Sequence, residues 1–81
     1  MKFVQLALDL QRAAYQNGHE NYGASIDVLA EALRILDGFK HLNPAQKALQ
    51  IELTENDNLK YAKPLCSSAR KAVRHFVVTL K

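Results

Sequence analysis

The side chains with chemical potential are few and scattered. His19, His41, His75 and Cys66 are the only imidazole and thiol groups in the chain. No two of them stand at i, i+3 or i+4, the spacings that put two ligands on one helix face, so the pattern predicts no metal site. Cys66 has no second cysteine to pair with, which fits a reducing compartment. It falls in the first turn after Pro64, close to Lys63, a setting that favours a reactive thiol. A small buried hydrophobe is the plainer expectation for it. Ser67 and Ser68 have no histidine beside them and no Gly-x-Ser-x-Gly elbow. His19-Glu20 is an acid/base pair by composition alone. The three glycines (Gly18, Gly23, Gly38) stand apart and form no phosphate-binding loop. The chain is therefore expected to have no catalytic residues, no cofactor and no enzymatic activity. At 81 residues it has little wall from which to build a pocket.

Charge is the more informative pattern. From Leu59 to Lys81 there are six cations (Lys60, Lys63, Arg70, Lys71, Arg74, Lys81) and no acid. The residues before them carry five cations against eight acids, so a net of +3 conceals a basic end on an acidic body. Arg70, Arg74 and Lys81 recur at i, i+4 and i+11 with Lys71 on the adjoining edge, a ridge on one side of a helix. Such a ridge can track phosphates or dock on an acidic protein surface. It can also pair internally with Asp9, Glu31, Asp37 or Glu52.

These residues must be positioned by helices. A chain that is 48% apolar and 23% charged is globular in composition, and 81 residues make a single domain, expected to span residues 1–81. Asn17-Gly18 closes a first helix. Ser25 can cap a second, with Asp27 in its first turn and Gly38 at its end. Asn43-Pro44 followed by Gln46 is a capping box with proline at the first helical position. Pro64 can open a fourth helix. The expected architecture is an all-α bundle of four short helices near residues 2–17, 25–37, 44–56 and 64–80. Only Phe76-Val77-Val78 reads as β, and it is too short to argue a sheet. Leu6, Leu10, Leu29, Leu33, Leu36, Leu49, Phe76 and Leu80 lie near the middle of apolar arcs and are the expected core. A helix-turn-helix over residues 44–57 and 64–80 is disfavoured, because the connection is long and contains no glycine.

Two helices carry more apolar surface than one contact needs. In the second, only Asp27, Glu31 and Arg34 interrupt an apolar arc of about 220°. Those three can pair among themselves. In the first, Val4, Leu8 and Tyr15 form a second stripe beside the core stripe of Phe3, Leu6, Ala7, Leu10, Ala13 and Ala14. A small domain has limited interior, so the surplus is either covered by loops or is a contact for another chain, a partner or a second copy.

The expected function is a non-catalytic interaction protein. Val4, Leu8 and Tyr15, or a flank of the second helix, would meet a protein partner, and Arg70, Lys71, Arg74 and Lys81 would add an electrostatic contact. The alternative is direct DNA or RNA binding by the same cations, and a third reading is a small enzyme or thiol sensor at Cys66. Size, basic end and spare apolar surface together resemble the small regulators and inhibitors that phages, plasmids and bacteria use alongside DNA-bound machinery, a likeness that assigns no residue roles. Gln5, Asp9, Gln11 and Arg12 break the N-terminal apolar run, and no segment approaches the roughly 20 apolar residues of a membrane span. The expected location is the cytoplasm.

Overall fold

Each expected helix forms, and the local signals explain most of the ends. The structure, a computed structural model, describes residues 2–18 and 25–80, with side chains for 5–18 and 26–80. It contains α1 (Lys2–Gln16), α2 (Ser25–Asp37), α3 (Pro44–Thr54), a 3-10 turn (Asp57–Tyr61) and α4 (Ser67–Thr79), with no strand among the described residues. The Ser25 cap, His19 and Glu20 fall outside the described residues.

α1 stops where glycine permits. Gly18 takes φ 84°, and the amides of Asn17 and Gly18 donate to the carbonyls of Ala14 and Tyr15 at 3.1 and 2.9 Å. α2 ends differently at Gly38, which keeps an ordinary negative-φ geometry while the amides of Gly38 and Phe39 bond back to Ile35 and Leu36. α3 opens on the full capping box. The Asn43 side chain accepts from the Gln46 amide at 2.8 Å, and the Gln46 side chain accepts from the Asn43 amide at 3.1 Å.

Two boundaries depart from the sequence reading. α3 ends at Thr54, and Asn56 then caps the 3-10 turn by accepting from the Asn58 amide at 3.0 Å, so that Leu59 drops into the core. α4 begins at Ser67, three residues after Pro64. Proline disfavours helical geometry at the residue before it, the Lys63 amide donates to Asp27 Oδ1 at 2.7 Å, and Leu65 buries before the helix starts. Cys66 consequently sits at the N-cap position and is exposed, correcting the expectation of a buried thiol. Leu65 takes the core place instead.

α2 is the centre of the fold. It packs against α1, α3, α4 and the 3-10 turn. Its wide apolar arc is thereby used internally: Val28, Leu29, Ala30, Ala32, Ile35 and Leu36 are all buried. Ala7, Ala14, Ala32, Ala69 and Ala72 are also buried, and their small side chains let these short helices approach closely. Of the expected core, Leu10, Leu29, Leu36 and Leu49 are buried, whereas Leu6, Leu33, Phe76 and Leu80 are half-buried and pack against it from the rim. α4 lies on α1 and α2, and α3 lies on α2. No tightly packed α3–α4 pair of the helix-turn-helix kind is formed.

α3 and α4 are tied by polar bonds instead. Gln46 is buried, and its Nε2 donates to the Val77 carbonyl at 3.0 Å. Asn43 Nδ2 donates to the Leu80 carbonyl at 2.7 Å. The residues that start α3 thus also donate to carbonyls at the end of α4, where Val77 shares its acceptor between Gln46 and the Leu80 amide at 3.3 Å.

Candidate interaction surfaces

With α2 enclosed, spare apolar surface is concentrated elsewhere. On α1 the core face is Ala7, Leu10 and Ala14, and the opposite face presents Gln5, Leu8, Arg12 and Tyr15. Leu8 is 47% exposed and Tyr15 is 63% exposed; seven residues apart, they stand two turns from each other on one side. The Val4 side chain lies outside the described residues. The second helix offers little by comparison, since of its large apolar residues only Ile26 is markedly exposed. On the flank of α2 expected as an alternative partner face, Ile26 is exposed and Leu33 is half-buried.

The basic ridge divides into engaged and unengaged cations. Glu31 is buried and receives Arg34 at 2.7 Å and Arg70 Nε at 3.9 Å. Asp27, expected to join this group, instead holds the Lys63 amide. Arg70 is therefore drawn toward α2. Lys71 and Arg74 are exposed, and neither forms an ion pair with an acid among the described residues. Arg74 lies over the Phe39 ring, 5.8 Å from its centroid. Lys81 lies outside the described residues. Val78 and the loop residues Phe39 and Lys40 were not flagged beside the ridge. A helical wheel could have placed Val78, one turn after Arg74, but the loop's position depends on tertiary packing.

The residues with chemical potential are not assembled. Cys66 is exposed with its Sγ 3.9 Å from Ser68 Oγ, and His41 and His75 are exposed on different elements. Among the described residues no three His, Cys, Asp or Glu side chains are grouped to hold a metal. A concavity of about 420 Å³ lies between α2, α3 and the 3-10 turn. Leu33, Leu53 and Leu59 line it together with Arg34, Asp37 and Lys60, and neither Cys66 nor either histidine reaches it.

Against this geometry, comparison with known proteins is decisive at the level of family. The family described as "Lysis inhibition accessory protein rIII" matches residues 1–81. The chain belongs to this family. It is 75% identical over 81 residues to the lysis inhibition accessory protein of Enterobacteria phage T4, covering 100% of this chain and 99% of that protein. The rIII match runs end to end, so the α1 face and the α4 ridge both lie within it. No solved structure matches the chain. Among the described residues no helix is long and apolar enough to cross a membrane.

Proposed function

We propose that this rIII-family chain is a non-catalytic accessory regulator of lysis inhibition that works as a single cytoplasmic domain by binding a protein partner. The observation that carries the reading is the outward apolar face of α1, where Leu8 and Tyr15 stay largely exposed while most of the apolar arc of α2 is packed internally. Large apolar side chains sharing one exposed face are the usual anchors of a protein contact. The exposed cations Lys71 and Arg74, which form no ion pair among the described residues, add electrostatic attraction, which speeds encounter and orients the partner. The relative in phage T4 bears the name of an accessory protein, a role that suits a binder with no grouped catalytic side chains.

Leu8→Glu tests the reading without touching the core. In cells infected by phage T4 lacking its own relative, the native chain should restore lysis inhibition and Leu8→Glu should not. The purified variant should keep its helical circular dichroism, with stability within about 0.5 kcal/mol of the native chain, because the side chain is on the surface. Full activity of a folded Leu8→Glu variant would remove α1 from the binding surface.

A further inference from the structure

The exposed face of α4 carries cations and, at one end, an exposed apolar side chain. Val78 is 52% exposed and follows Arg74 by one turn and Lys71 by two on the same side of the helix. The contact of Arg74 with Phe39 brings the α2–α3 loop against this face, and the exposed Lys40 is the next residue in that loop. No residue from Leu59 to Lys81 is acidic, so α4 supplies no compensating charge of its own.

We infer that this surface of α4 docks an acidic amphipathic helix of the protein partner. An apolar side chain of that helix rests on Val78, and carboxylates one and two turns along it meet Arg74 and Lys71, with Lys40 of the adjoining loop adding positive charge. The inference rests on the partner-binding reading above and adds the chemistry of the partner. Charge complementarity gives the sign, and periodicity gives the shape. Cations repeating every three to four residues along one helix match carboxylates repeating at the same pitch, about 5.4 Å per turn, on another. A phosphate backbone would gain nothing from the apolar side chain, and Arg70, which would extend a phosphate track, is turned toward Glu31.

The test uses the full chain, isotopically labelled, titrated with a synthetic helical peptide of about four turns in which a leucine is flanked by glutamates one and two turns away. Comparison titrations use the glutamine version of the peptide and a short DNA duplex. The glutamate peptide should bind best and shift the amide resonances of Lys40, Lys71, Arg74 and Val78. Joint Lys71→Glu and Arg74→Glu substitution should weaken it about tenfold, and Val78→Ser several-fold. All three side chains are exposed, and matched circular dichroism checks the fold. If the double charge reversal loses helicity, Val78→Ser decides alone. Absence of binding, equal binding of the glutamine peptide, preference for the duplex, or indifference to Val78→Ser would each overturn the proposal. Leu8→Glu should leave peptide binding unchanged, so failure here stays distinct from failure of the α1 face in infected cells.

Discussion

Asn43 and Gln46 each serve two elements, and single substitutions there should report on both. Gln46→Ala removes the return bond of the capping box and the Nε2 bond to the Val77 carbonyl, which keeps the Leu80 amide as a donor at 3.3 Å. A loss of about 1–2 kcal/mol is expected, measured by urea denaturation, because the cap bond and the bond between α3 and α4 are lost together. An unchanged midpoint would mean that the α3–α4 tie is not formed in solution. The two described glycines should behave oppositely. Gly18→Ala forces an alanine into the left-handed region and should cost about 1–2 kcal/mol. Gly38→Ala needs no such geometry, and the added methyl would sit 3.4 Å from the Ile35 carbonyl oxygen, an ordinary contact. It should be neutral or stabilise by up to about 1 kcal/mol through the unfolded chain. Equal thermal shifts for the pair would contradict the assigned helix ends.

At the scale of elements, legibility followed locality. The capping box at Asn43 and the stop at Gly18 were readable because each is completed within a few residues. The late start of α4 was not, because it depends on Asp27 capturing the Lys63 amide across 36 positions and on Leu65 burying ahead of the helix. Periodicity could identify the wide apolar arc of α2 but could not distinguish a central helix from one awaiting a partner. On α1 the corresponding second stripe leaves Leu8 and Tyr15 exposed. On α4 the ridge was legible as charge, while its division was not, since the draw of Arg70 toward Glu31 is a tertiary contact. That division has a measurable consequence. With Lys71 and Arg74 as the described ridge cations that form no ion pair among the described residues, the ridge should bind duplex DNA weakly, with log K falling against log salt no more steeply than about −2. A slope of about −4 with tight binding would favour direct nucleic-acid recognition by the whole ridge.

For the whole molecule, the central claim is that regulation is exercised through contact. The fold encloses α2, ties α3 to the end of α4, and leaves an apolar face on α1 and a cationic face on α4. The most direct measurement places a photo-crosslinking side chain at Leu8 of the full chain and illuminates infected cells while lysis inhibition is in force. Glu55, exposed at the end of α3, serves as the control position. A covalent adduct to one protein partner from Leu8, and none from Glu55, is the predicted result. An active chain that forms no adduct at Leu8, or forms the same adducts at both positions, would contradict the account.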